Sequence, residues 1–225
     1  NIAAVKKGSV QPDEYILFMA HWDHLGFMEG AQMGDDKIAN GAVDNATGVA
    51  AVFEFAKRFS EIETDRSIMF LAVTLEESGL LGSEYFAKYP PIDLSNIVAG
   101  FNYDAILPTG LTNDMVVVGY GASELEDLLE DELSKSGRYI NPDPNPDKGY
   151  FYRSDHISFA KRGVPVLYAD GGFDLVDGGK EAGFVIEEQY RLDAYHGVAD
   201  EYDESWNLDG LNQSIDVIFN ISKEL

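Results

Sequence analysis

The chain has 225 residues, and forty acidic against sixteen basic side chains leave a formal charge of −24, a surface that repels phosphate backbones and anionic membranes. Apolar residues at 45% suit a globular chain, and no apolar run approaches the roughly 20 residues that cross a bilayer, so neither nucleic acid binding nor membrane insertion is expected. Cysteine is absent, which leaves imidazole and carboxylate as the only strong metal donors.

Residues 1–225 carry no internal repeat or linker and read as a single domain. The opening "NIAAVKKG" resembles a strand already under way, so upstream sequence is expected to be missing from this chain. Strands are expected at Ile2 to Val5 and Tyr15 to Ala20. Residues 45–59 place Val49, Val52, Phe53, Ala56 and Phe59 on one helical face, with Asp44 as N-cap. The nearly all-apolar "SIMFLAVTL" (67–75) predicts a strand covered on both faces. A short helix near Ser83 to Lys88 follows, then strands at Ile97 to Asn102 and Met115 to Val118, and a helix from about Ser123 that stops at Gly137. Composition makes 141–149 a loop and the glycine-rich 170–184 a flexible rim. A strand over 164–169 and an amphipathic helix from Leu208 to Lys223 close the chain. The alternation predicts an α/β domain with a largely parallel central sheet and helices on both faces.

Sites in such sheets form where strands end at their carboxyl edge. The strand ending at Ala20 delivers His21, the one ending at Leu75 delivers Glu76 and Glu77, the one ending near Asn102 delivers Asp104, and Asp44 heads a helix. Imidazole and carboxylate together suit zinc, whose catalytic sites keep a position open for water. Of the other histidines, His196 in the polar loop "DAYHGVADEYD" is the best candidate for a further ligand. Adjacent side chains diverge, so Glu77 can bind metal while Glu76 faces a metal-bound water. Asp23 is placed to accept the far N–H of His21 and fix its tautomer.

"AHWDHLG", "NGAVDNATGVA", "LEESGLLGSEYFA", "NYDA" and "YHGVADEYD" occur in the order and approximate spacing of the co-catalytic two-zinc aminopeptidases. The chain thus resembles the bacterial leucyl aminopeptidase type of peptidase family twenty-eight, related to glutamate carboxypeptidase II and the transferrin receptor. The resemblance implies a three-layer α/β/α sandwich with a mixed, largely parallel sheet. It implies two zinc ions bridged by Asp44, with His21 and Asp104 completing one site and Glu77 and His196 the other, and Glu76 as general base. It also implies a cis peptide bond after Asp44 and an exported enzyme acting on peptides. His24 and His156 are not ligands in that pattern and read as structural; Asp200 is a candidate to orient His196. The oxyanion-binding tyrosine of the best-known relatives has no clear register in "GYFYRSDHISF" (149–159), which leaves Tyr150, Tyr152 and Arg153 as candidates. Phe151, Tyr152, Phe173 and Phe184 are candidates for a side-chain pocket. A same-fold carboxypeptidase or dipeptidase, a glutaminyl cyclase and a metal-free binding module remain as alternatives.

Overall fold

The computed structural model describes residues 1–30, 36–169 and 171–225. A five-stranded sheet forms its centre, built from β1 (Ile2–Lys6), β2 (Gln11–His21), β5 (Arg66–Val73), β6 (Ile97–Asn102) and β9 (Val166–Tyr168) in the spatial order β1-β5-β2-β6-β9. Only β1 runs antiparallel to its neighbour; the remaining pairs are parallel. Between β2 and β5 lie a small hairpin of β3 (Gly26–Phe27) and β4 (Ile38–Ala39) and then helix α1 (Gly48–Ser60). Helix α2 (Leu81–Lys88) follows β5. After β6 come β7 (Asp114–Val117), α3 (Leu125–Ser134) and β8 (Tyr139–Pro142), with β7 and β8 forming a separate parallel pair. Helix α4 (His156–Ala160) precedes β9, and α5 (Gly179–Asp193) and α6 (Asp209–Glu224) complete the chain.

The middle strand explains the layering. Successive side chains of a strand point to opposite faces, and in β2 both faces are apolar. Ile16, Phe18 and Ala20 join Phe55 and Phe59 of α1, Leu129 of α3 and Ile218 of α6 in one buried cluster. Leu17 and Met19 join Phe86 of α2 and Phe159 of α4 in the other. The result is the three-layer sandwich with a mixed, largely parallel sheet.

Among the elements, the structure departs from the sequence reading at helix α1, at the turn before it, at 141–149 and at 170–184. Helix α1 buries Phe55 and leaves Phe53 71% exposed, because the buried stripe runs through Ala51, Val52, Phe55 and Phe59. The helix starts at Gly48, so Asp44 is not its cap; it sits in an irregular turn, Ala42–Thr47, with non-helical backbone angles. Strand β8 occupies the start of the expected loop at 141–149. Helix α5 takes up the last six residues of the expected rim at 170–184, whose first residue, Asp170, lies outside the described residues.

Candidate metal centre and active site

Each strand that ends at the carboxyl edge of the sheet presents one part of the site. His21 is the last residue of β2 and is 1% exposed. Its Nδ1 donates to the backbone carbonyl of Asp23 at 3.1 Å, which fixes the tautomer and leaves Nε2 as a lone-pair donor. That partner is the carbonyl, not the carboxylate expected from the sequence; Asp23 Oδ1 instead accepts from the backbone N–H of Glu76 at 3.3 Å. Beyond β5 the chain turns through Leu75 with φ of 59°, so strand pairing ends at Val73, two residues earlier than expected, and the turn brings Glu76 and Glu77 to the rim. Asp104 follows β6 by two residues.

Asp44 lies at the centre, 3% exposed. Its Oδ1 is 3.2 Å from His21 Nε2 and its Oδ2 is 3.3 Å from His196 Nε2. His21 Nε2 is also 3.1 Å from Asp104 Oδ1, and His196 Nε2 is 3.2 Å from Glu77 Oε2. One carboxylate therefore faces two imidazoles, each flanked by a further carboxylate. Bonds of about 2.0–2.2 Å to a four-coordinate ion place neighbouring donor atoms about 3.3 Å apart. The donor spacings of 3.1–3.3 Å fit two such ions sharing Asp44, and the mixed imidazole and carboxylate chemistry suits zinc.

The backbone around Asp44 is held by neighbours. The Asp44–Asn45 peptide bond is cis. Asp200, 1% exposed, accepts from the backbone N–H groups of Val43 and Asp44 at 2.8 and 3.0 Å and from the hydroxyl of Tyr190 at 3.1 Å. It thus braces Asp44, not His196 as the sequence suggested. Ser154 donates to Asp104 Oδ2 at 2.5 Å and accepts from Asn102 Nδ2 at 2.7 Å. Tyr195 stacks on the His196 ring with centroids 3.9 Å apart. These supports escaped the sequence reading: Ser154 sits directly before the noticed "DH", and Tyr195 directly before the noticed His196, yet a hydroxyl or a ring carries no signal of what it will touch.

The electrostatics follow from this crowding. Burial disfavours a charge on His21, but the carboxylates of Asp104 and Asp44 outweigh it and push its pKa up to about 12. Hydrogen bonds donated to the carboxylates of Asp44 and Glu77 raise His196 to about 10. Burial raises the carboxyl of Asp44, yet the bonds to His196 and His21 hold it well below the usual carboxylate range. Glu77, opposed by burial and favoured by its contacts with His196 and His24, falls to about 2. Glu76 behaves oppositely: burial and then the charge of Asp104 push it up to about 9. Two adjacent glutamates with pKa values driven apart are the arrangement in which one stays a ligand and the other carries a proton.

An open cavity of about 620 Å³ runs outward from these groups. Tyr150, Tyr152 and Arg153, the oxyanion candidates, all line it, as do Phe173 and Tyr195. Arg153 lies over the Tyr150 ring at 5.6 Å. Phe151 instead lies edge-on to the His156 ring, and Phe184 sits against Phe173 outside the cavity lining. His156 is fully buried between Phe151 and Tyr168, a structural position.

The profile of peptidase family M28 matches residues 1–222. The chain belongs to peptidase family M28. All five motif segments fall inside the matched range. Among individual relatives, a stretch of 105 residues is 37% identical to a probable zinc metalloprotease of Pyrenophora tritici-repentis, covering 47% of this chain and 24% of that protein. Aminopeptidase YwaD of Bacillus subtilis is 28% identical over 108 residues, 47% of this chain and 21% of that one. The M28 fold is reproduced in solved structures: a zinc aminopeptidase from Bacillus subtilis superposes with a TM-score of 0.71 at 20% identity, covering 99% of this chain and 49% of the other. An aminopeptidase from Aneurinibacillus sp. strain AM-1 gives 0.68 at 22%, with 98% and 46% covered. The chain spans less than half the length of these relatives.

Proposed function

We propose that this chain is the catalytic portion of a zinc-dependent aminopeptidase that removes N-terminal residues from peptides. The carrying observation is the two-sided placement of Asp44, whose oxygens each face a different imidazole at 3.2 and 3.3 Å. The names of its relatives, a zinc metalloprotease and aminopeptidases, support the same reading. His21, Asp44 and Asp104 would hold one zinc ion, and Asp44, Glu77 and His196 the other. Bound there, the ions supply Lewis acidity and a water whose pKa lies near 7. Glu76, which lines the cavity with Asp104, takes a proton from the attacking water and returns it to the leaving amine. One of Tyr150, Tyr152 and Arg153, which line the cavity, would bind the developing oxyanion. The cavity wall also carries Val116, Val118, Tyr168 and Phe173, which favours an apolar N-terminal side chain.

The deciding test is a pair of leucyl anilides, one with a free α-amine and one N-acetylated, offered to zinc-loaded protein. Cleavage of the free amine alone is expected. Equal cleavage of both, or cleavage only of peptides with a free carboxyl terminus, would overturn the aminopeptidase reading.

A further inference from the structure

The strand-end motif holds a second imidazole for which the two-ion arrangement leaves no role. His24 leaves the turn after β2 three residues beyond His21, and its side chain is only 6% exposed. Its Nδ1 stands 2.7 Å from Glu77 Oε1, while the same carboxylate turns Oε2 to His196 Nε2 at 3.2 Å. Neither ring nitrogen of His24, nor Glu77 Oε1, has another hydrogen-bond partner among the described residues. The N–H is out of line in this geometry, yet two buried orphan atoms at hydrogen-bond distance have only each other to satisfy them. The backbone makes room for the ring: Gly41 has φ of 66°, and a Cβ there would come 2.6 Å from His24 Cγ. A side chain at 41 would press on that ring as well as on the backbone carbonyl of Asp44, 2.2 Å from such a Cβ.

We infer that His24 is a positioning residue for Glu77. In the metal-loaded protein its Nδ1–H donates to Oε1, so that Glu77 presents Oε2 alone to the ion it shares with His196 and Asp44. A carboxylate without that bond can rotate, or chelate through both oxygens, and either spends ordering entropy when the metal binds. The 2.7 Å separation argues against His24 as a second imidazole ligand of that ion. Donors sharing an ion stand about 3.3 Å apart, whereas 2.7 Å is the length of a charge-assisted hydrogen bond. The inference rests on the two-zinc reading above.

The test compares wild-type protein with His24→Phe, which keeps the ring volume without the donor, and His24→Asn, whose amide N–H falls near the Nδ1 position. Zinc is titrated in competition with a chelator. Wild type should bind two ions. The Phe variant should keep the affinity of one and lose about 10–100-fold at the other, and the Asn variant should recover most of that loss. Saturated with cobalt, all three should show the same visible spectrum, since no ligand has been removed. In unmutated protein loaded with cadmium-113, His21 and His196 should show metal coupling and His24 none, a reading that does not depend on any variant folding. Metal coupling at His24, or equal zinc affinities in wild type and a folded Phe variant, would overturn the inference and leave the two-zinc reading standing. Wild type that takes up fewer than two ions would sink both.

Discussion

Glu76 and Glu77 are neighbours in sequence, yet the fold gives them opposite surroundings. Glu77 faces two imidazoles and is held ionised. For Glu76, burial and the charge of Asp104 outweigh the opposing charge of His21 and keep its proton on up to about pH 9 in the metal-free protein. The positive charge of bound ions would favour its carboxylate form, and because it is not a ligand that carboxylate would be free to accept a proton in the reaction. Glu76→Gln keeps the shape and removes the proton acceptor, so kcat should fall by about 10²–10⁴-fold while two zinc ions stay bound. Metal analysis of the purified variant alongside its kinetics checks both halves. A variant that loses its zinc would make Glu76 a ligand, and one with undiminished kcat would remove it from the chemistry.

At the scale of elements, helix α1 both covers the sheet and follows the turn that holds Asp44. Phe55 is fully buried and stacks on Phe18 of β2 with centroids 4.4 Å apart; Phe53, two residues earlier, is 71% exposed. Phe55→Ala should cost about 3–5 kcal/mol and Phe53→Ala less than about 0.5 kcal/mol. Equilibrium denaturation of the two variants reads the difference, and similar losses would mean the helix is rotated from the position seen here. The same pair shows where legibility ends. Strands β2, β5 and β6 could be read from the sequence because continuous apolar runs buried on both faces have few other fates, and the His and carboxylates at their ends came with them. The register of α1 could not, because phenylalanines at 53, 55 and 59 fit more than one helical stripe. Helix α5 was missed for a related reason. It opens at Gly178 and Gly179 and buries only Gly183, so it lacks the apolar periodicity that marks a helix, while Val185 and Leu192 remain exposed. The bracing of Asp44 by Asp200 was invisible because it runs from a side chain to backbone N–H groups, and no residue type announces that.

Across the whole molecule, the metal-free site has consequences for stability that share one sign. His196 and His21 are raised from 6.5 to about 10 and about 12, so their contribution is complete below pH 6.5 and drains away as pH climbs through those values. Glu76, raised from 4.5 to about 9, binds its proton more tightly in the folded chain, and its contribution also falls as pH rises from 4.5 to 9. The lowered carboxyls of Glu77 and Asp44 contribute fully above the ordinary carboxylate range and add no slope in this window. The Tm of metal-free protein should therefore decline steadily between pH 6.5 and 10. With zinc bound as proposed, the imidazoles would be neutral ligands and the carboxylates compensated, so the loaded protein should melt higher and with a much flatter dependence over the same window. The difference must surface as protons. At pH 8 the imidazoles of His21 and His196 and the carboxyl of Glu76 carry protons in the metal-free protein, and two ions entering must displace the two imidazole protons and, as Glu76 ionises to serve as base, about one more. Titration calorimetry in buffers of different ionisation enthalpy counts these directly. A count near zero, as for imidazoles with ordinary pKa values, together with a metal-free Tm that does not fall, would mean that the five donors do not converge on one another before the metal arrives.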